Sequence, residues 1–283
     1  MITPTQVKQK IRNIQTKTGI PAQLLQRNFI MERFLFRLSQ SAYKDNFILK
    51  GGYLVGHFIG SENRTTMDLD TTVTGLTLTT EKIRQVLIEI GQSETDDGIA
   101  YDILQIQEIR EEDDYPGIRI AMQAVIGGAM RVPFHLDITT GDAITPGATM
   151  IEQDSLLDLE SFSILSYPLE TVLAEKLQTI LNRSIANTRA RDYYDVYALY
   201  ILKKDRIQLE LLQEALRNTM KQRNTPNLLE DALSILKDIH VSPDLEQVWK
   251  SYKKKNSHYV HDLTFQDTLN AVDELVFALT QLQ

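Results

Sequence analysis

The sequence predicts an α+β fold in two lobes, residues 1–150 around a mixed or antiparallel sheet and residues 151–283 forming a helical C-terminal lobe. Three observations predict it. Short apolar runs of strand length, several with period-two alternation, recur at 47–49, 67–73, 101–110, 117–126 and 132–139. Segments with helical periodicity precede and interrupt them. From Leu169 onward the pattern is almost wholly helical.

The chain of 283 residues can bury a sizeable core, and 42% hydrophobic with 24% charged residues is ordinary globular usage, so no long disordered span is expected. The absence of cysteine excludes thiolate zinc sites, disulfides and a cysteine nucleophile. No apolar run approaches the ~20 residues that span a bilayer, and Met1-Ile2-Thr3-Pro4 opens no signal peptide, so a cytoplasmic, membrane-free protein is expected. A net charge of −8 argues against indiscriminate binding to nucleic acid while leaving room for a local basic face.

Residues 5–18 and 22–43 read as two helices split by Gly19-Ile20-Pro21, with Leu24, Leu25, Phe29, Met31, Leu35 and Leu38 forming a stripe toward the sheet. Arg27, Arg33 and Arg37 fall off or beside that stripe and are expected to be solvated. The run 47–49 ends at Lys50-Gly51-Gly52, where two glycines permit a sharp turn and close approach to bare main chain. Leu54, Val55, Phe58 and Ile59 then repeat at helical spacing. A further helix is expected at 80–91, with Thr80 as its N-cap.

The strand at 67–73 carries Asp68 and Asp70 on one face, roughly 6.5–7 Å apart at about 3.3 Å per residue. Two carboxylates about 4 Å apart repel by roughly 4 kcal/mol at an effective dielectric near 20. A half-buried pair therefore needs a cation or a shared proton. Mg²⁺ suits such a pair, since it favours carboxylate oxygens combined with waters and phosphates. A phosphate-accessible glycine turn beside a metal pair is what phosphoryl or nucleotidyl transfer requires.

Strands 101–110, 117–126 and 132–139 are joined by the acidic turn 111–116 and by Gly127-Gly128. In the last strand Phe134, Leu136 and Ile138 take the packed face, leaving His135, Asp137 and Thr139 on the other. Asp137 is either a third metal carboxylate or an exposed strand residue. His135 is a weaker candidate, because Mg²⁺ does not favour imidazole. The stretch 141–167 reads as a partly irregular crossing between lobes.

The helix at 169–182 places Lys176 on its apolar stripe. Its stem could lie along apolar surface with the ammonium in water, or it could neutralise a triphosphate. Arg189-Ala190-Arg191-Asp192-Tyr193-Tyr194-Asp195 opens the next helix. Asp192 and Asp195 share a face there, explicable by helix electrostatics, with Arg191 pairing to Asp195. Helices follow at 209–220, 228–239 and 263–282. Lys253, Lys254 and Lys255, together with Arg189 and Lys203, could form a local basic face, although charge runs are usually just solvated.

Lys50-Gly51-Gly52, Arg64-Thr65-Thr66-Met67-Asp68-Leu69-Asp70, Leu136-Asp137-Ile138, the L-A-E-K-L around Lys176 and the stretch from Arg189 to Asp195 together resemble the AbiEii/AbiGii nucleotidyltransferase toxins. These are the enzymes of type IV toxin–antitoxin systems, within the polymerase-β-like superfamily. The resemblance covers about 47–200. It implies a polymerase-β-like lobe and a helical lobe completing the active site between them. Asp68, Asp70 and Asp137 would hold Mg²⁺. Lys50, Gly51, Gly52, Arg64, Thr66 and Lys176 would bind the nucleotide. Asp192 would join the active site, with Asp195 beside it. The donor implied is an NTP, with GTP or CTP possible, and the acceptor RNA, tRNA above all, bound by Arg189, Lys203, Lys253, Lys254 and Lys255. A type IV antitoxin needs no stable complex with the toxin. The rival readings are nucleotide transfer to a protein or small molecule and a non-catalytic binding module.

Overall fold

The computed structural model describes residues 2–93, 95–110 and 116–282. The acidic turn read at 111–116 lies, apart from Pro116, outside them. Helices α1 (Pro4–Thr18) and α2 (Ala22–Gln40) open the chain. The start of α1 is set by a reciprocal cap: Thr3 accepts the Gln6 N–H while the Gln6 side chain returns to the Thr3 backbone. It ends at Gly19, whose φ of 74° suits a residue without Cβ.

Next come β1 (Phe47–Lys50), α3 (Gly51–Ile59), β2 (Asp68–Val73) and α4 (Thr80–Gly91). The cap of α4 is Thr79 rather than Thr80. Thr79 has extended backbone and accepts the Lys82 N–H, whereas Thr80 is already helical. Strands β3 (Ile99–Arg110), β4 (Pro116–Ile126) and β5 (Met130–Thr140) follow, then β6 (Thr149–Gln153) and β7 (Phe162–Ser166). The last two occupy the stretch expected to be irregular. Each is only five residues long, and β6 buries none of its side chains, so it carries little period-two signal.

The remainder is helical, as expected: α5 (Leu169–Arg183), α6 (Ala190–Lys203), α7 (Leu209–Gln222), α8 (Ala232–His240), α9 (Pro243–Lys255), α10 (Ser257–Val260) and α11 (Phe265–Gln281). The lysine run is the last turn of α9, where cations complement the helix dipole.

The seven strands form one mixed sheet in the order β3-β4-β5-β2-β1-β7-β6. β3, β4 and β5 are an antiparallel meander, β2 lies parallel to β5, and β1 is antiparallel to β2 and parallel to β7. The chain divides into two compact units. The first comprises 1–57, 64–142 and 149–166, and the second 58–63, 143–148 and 167–283. The first holds the whole sheet. Its helices α1 and α2 bury Val7, Ile11, Leu25, Phe29 and Ile30 against Ile99, Ala124 and Ile126. The second is built around α6, whose Tyr193 meets Phe265 of α11 edge-on at 5.1 Å between ring centroids.

Arg33 and Arg37 are buried, contrary to the expectation of solvated cations. Asp97, just before β3, takes Arg33 Nε at 3.1 Å and Arg37 Nη2 at 2.8 Å. The two guanidiniums also stack on Phe36 and Tyr101. Burial pushes the Asp97 carboxyl upward, but Arg37, the Ile99 N–H and Arg33 together hold it below its ordinary value. Arg27 is the partly open one, donating to the Pro133 carbonyl.

Candidate active site

Register puts the acids of the first unit side by side. Asp70 on β2 is paired across the sheet with Asp137 on β5 and Asp68 with His135. On the far side of β5, Asp137 is paired with Arg119 of β4. Because side chains at paired positions leave the same face, Asp70, Asp137 and Arg119 form a row. Arg119 grips Asp137 with two parallel bonds, Nε to Oδ1 at 2.8 Å and Nη2 to Oδ2 at 2.5 Å. The Asp137 hydrogen bond, above all, holds Arg119 protonated beyond its ordinary range, and Asp68 and Asp70 add to the effect. Asp68 Oδ1 lies 3.3 Å from His135 Nδ1, and Asp70 Oδ2 accepts the Gly52 N–H at 3.3 Å. Lys50 of β1, paired with Asp70, ends the row on the other side, so the acids lie between a lysine and an arginine.

The glycine turn serves this row. Gly51 has φ 68°, and a Cβ there would lie 2.0 Å from Asp70 Oδ2. A Cβ on Gly52 would stand 3.0 Å from Thr66 Oγ1 and 3.3 Å from Arg64 Nη2. The groups that approach the bare main chain are thus the protein's own Asp70, Thr66 and Arg64. Thr66 Oγ1 also accepts the Asp68 N–H, fixing the start of β2. Arg64 is buried and donates to the Thr65 carbonyl. Lys50 is 2.9 Å from Asp142 Oδ2, which Thr139 also donates to. Burial pushes the Asp142 carboxyl up, but Lys50 and hydrogen bonds from Lys50, Thr139 and Thr72 outweigh it and bring it to about 2.

In the second unit, Lys176 of α5 reaches Asp192 Oδ1 at 3.2 Å and Asp195 Oδ2 at 2.6 Å on α6. Arg189 Nε lies 3.0 Å from Asp192 Oδ2. Both aspartates are buried. Burial pushes the Asp192 carboxyl up, yet Lys176, Arg189 and Arg191 together hold it below its ordinary value. The lysine on the apolar stripe therefore does not simply run out to water. It bridges two buried acids, which Lys176 and Arg189 neutralise together.

Residues 33–274 match the model of the AbiEii nucleotidyl transferase toxins of type IV toxin–antitoxin systems. The chain belongs to that family. It is accordingly a nucleotidyltransferase, and its fold is shared with a solved structure. A candidate nucleotidyltransferase from H. pylori superposes with a TM-score of 0.51 at 15% identity, over 92% of this chain and 96% of that one. An antigenic nucleotidyltransferase-like protein from Paracoccidioides brasiliensis gives 0.40 at 17% identity, over 74% and 92%. No curated protein sequence matches significantly.

Of the AbiEii positions read from sequence, β2 and its neighbours bring together Asp68, Asp70, Asp137, Gly51, Gly52, Arg64 and Thr66. Lys176, Asp192 and Asp195 meet in the second unit. Among the described residues no group of three or more His, Cys, Asp or Glu side chains is arranged to hold a metal ion. Asp137, the third acid of the row, is held by Arg119. Arg119 escaped the sequence reading, although counting outward from the Gly127-Gly128 turn places it opposite Asp137. The cations expected to hold RNA separate. Arg189 and Lys255, with Arg191 and Tyr252, line a cavity of about 480 Å³ where α6 begins and α9 ends. Lys203 lies at the opposite end of α6, about 20 Å away at 1.5 Å per residue. Lys253 donates to the Leu263 carbonyl, and Lys254 is exposed. No helix of the described residues is long and apolar enough to cross a membrane.

Proposed function

We propose that this AbiEii nucleotidyltransferase is Mg²⁺-dependent and transfers a nucleotide from an NTP to RNA, with tRNA the acceptor. The observation that carries the reading is the pair Asp68 and Asp70 on one face of β2, beside Gly51-Gly52 and partly open to water. The donor set fits a hard cation: carboxylate oxygens with no thiolate, and only one imidazole at the margin. Mg²⁺ characteristically binds through one or two carboxylates and leaves its other positions to water and substrate phosphates.

Asp68 and Asp70 would hold the cation, which would draw the triphosphate oxygens together and offset charge developing on the leaving pyrophosphate. Gly52 orients Asp70 through its N–H, and Thr66 fixes the backbone of Asp68. Arg64 brings positive charge to the turn. Asp137 is the carboxylate for the acceptor hydroxyl proton. Lys176 is the cation that the family pattern assigns to the triphosphate, with Asp192 and Asp195 holding it in place. For the acceptor, Arg189 and Lys255, joined by Arg191, offer clustered charge for backbone phosphates on a chain whose net charge of −8 forbids broad affinity.

The test is incubation with each labelled NTP, Mg²⁺ and total cellular RNA and protein. Label in the tRNA fraction, lost on adding chelator and in a folded Asp70→Ala variant, is the expected result. Label in protein alone would overturn the acceptor, and full labelling by Asp70→Ala would overturn the metal assignment.

A further inference from the structure

We infer that Arg119 is a resident counter-ion for Asp137, which competes with the divalent cation for that carboxylate and so sets the metal affinity of the site. The inference rests on the metal reading above and adds to it a residue that the family pattern does not name. Its first support is the two-bond grip at 2.8 and 2.5 Å, which engages both oxygens of Asp137. A planar guanidinium matches a carboxylate in this way and a lysine does not. While the grip holds, each oxygen of Asp137 accepts a charge-assisted bond, and a cation reaching either one meets the charge of the guanidinium.

The second support is exposure. The Arg119 side chain is 45% exposed and that of Asp137 only 11%. The arginine can therefore withdraw into water, whereas the aspartate stays in the row. The pair is open to solvent on the arginine side, so hydration of the freed guanidinium offsets part of the loss of two charge-assisted bonds when a divalent ion replaces it. The third support is charge: Arg119 faces Asp137, Asp68 and Asp70 together, so it stands where a bound cation would also be drawn. On exchange two N–H···O bonds break, water takes up the guanidinium, and Asp137 becomes available beside its row neighbour Asp70. Until then, apparent metal affinity is lowered by the fraction of molecules in which the grip is closed.

Mn²⁺ titration of the full chain by calorimetry, with no nucleotide present, tests this. Arg119→Gln is expected to bind Mn²⁺ about three- to tenfold more tightly than wild type. Arg119→Lys, which keeps the charge but not the double bond, should gain less. Removing a positive charge strengthens cation binding at any distance, so the decisive comparison is made in an Asp137→Asn background. There the gain from Arg119→Gln should largely vanish. An equal gain in that background, or no gain in either, overturns the inference while leaving the metal site intact. If Arg119→Gln does not fold, a gain for Arg119→Lys that depends on Asp137 sustains the inference, and its absence overturns it. If folded wild type binds no Mn²⁺, or binds it undiminished after Asp68→Asn and Asp70→Asn, the metal reading fails and the inference with it.

Discussion

The two charge centres of this protein are built on opposite plans. On α5 and α6, Lys176 and Arg189 answer Asp192 and Asp195 one for one, and both aspartates are buried. On β2, β4 and β5, Arg119 grips Asp137 alone, and Asp68 and Asp70 stay partly open to water. The helical centre is balanced, so its charges stabilise one another and cutting one strands the rest. The strand centre keeps two carboxylates at the water's edge, side by side on one face, and their repulsion costs stability unless something binds. A surplus maintained on an exposed face is a demand for a ligand, and a buried neutral set is a demand for its own partners.

Lys176→Met should show the largest effect on stability. It deletes the charge and keeps the stem, leaving two buried carboxylates without their shared cation, a loss of about 3–5 kcal/mol for breaking a buried pair. A lysine whose ammonium ran out to water would leave the melting temperature untouched; one bound to two buried carboxylates does not. Asp70→Asn is the contrast, since it relieves repulsion and should leave stability within about 0.5 kcal/mol of wild type or raise it. Denaturant melts of the two variants check the comparison. A Lys176→Met variant as stable as wild type would erase the distinction.

What sequence made legible was local. Periodicity located β1, α3 and β2, and alternation put Asp68 and Asp70 on one face and Asp137 off the packed side of β5. It did not show that Asp137 would be buried, because that depends on Arg119, a residue on the neighbouring strand. Arg33 and Arg37 misled for the same reason. Their partner Asp97 lies some sixty residues on, and nothing in a helical pattern announces it. β6 and β7 were missed because five residues with weak alternation resemble a loop. The lysine run read as a basic face becomes the end of α9, where one lysine closes onto the Leu263 carbonyl and another turns toward Arg189. Long-range pairing, rather than propensity, is what a single sequence leaves out.

A third buried acid sharpens the comparison from another side. Glu32 of α2 accepts Ser155 Oγ and the Leu156 N–H, both at 2.7 Å, while the adjacent Arg33 turns to Asp97 and Glu160. Burial raises its carboxyl to about 7, against the lowering influence of the Leu156 and Ser155 hydrogen bonds and of Arg33. Asp142, equally hidden but with Lys50 on it, goes to about 2. The signs are opposite. Between pH 4.5 and 7 the native state binds a proton at Glu32 that the unfolded chain has lost, so this contribution falls as pH rises and is spent above about 7. The full span is roughly 3 kcal/mol. Glu32→Gln should remove that slope from melts taken between pH 5 and 8. A slope that persists in the variant would mean that Glu32 is ionised in the folded protein throughout.

The substitution that best separates the two centres is Gly51→Ala. At φ 68° an alanine is strained by about 1–2 kcal/mol. The more specific consequence is steric. The new Cβ would meet Asp70 Oδ2, Cγ and Cβ at 2.0, 2.5 and 2.6 Å, too close for the carboxylate alone to rotate away. The Asp70 carboxylate must change rotamer and give up the Gly52 N–H, and because no rotamer moves Asp70 Cβ, the turn or β2 must shift as well. No charge is lost, so a centre that mattered only for its negative potential would keep binding Mn²⁺. A centre that depends on the placement of Asp70 should lose nucleotidyl transfer nearly as fully as Asp70→Ala does, in a protein that still melts within a few degrees of wild type. Measured side by side, labelling and melting decide between them: retained labelling in a folded Gly51→Ala variant would show that the position of Asp70 against the glycine turn is incidental to the reaction.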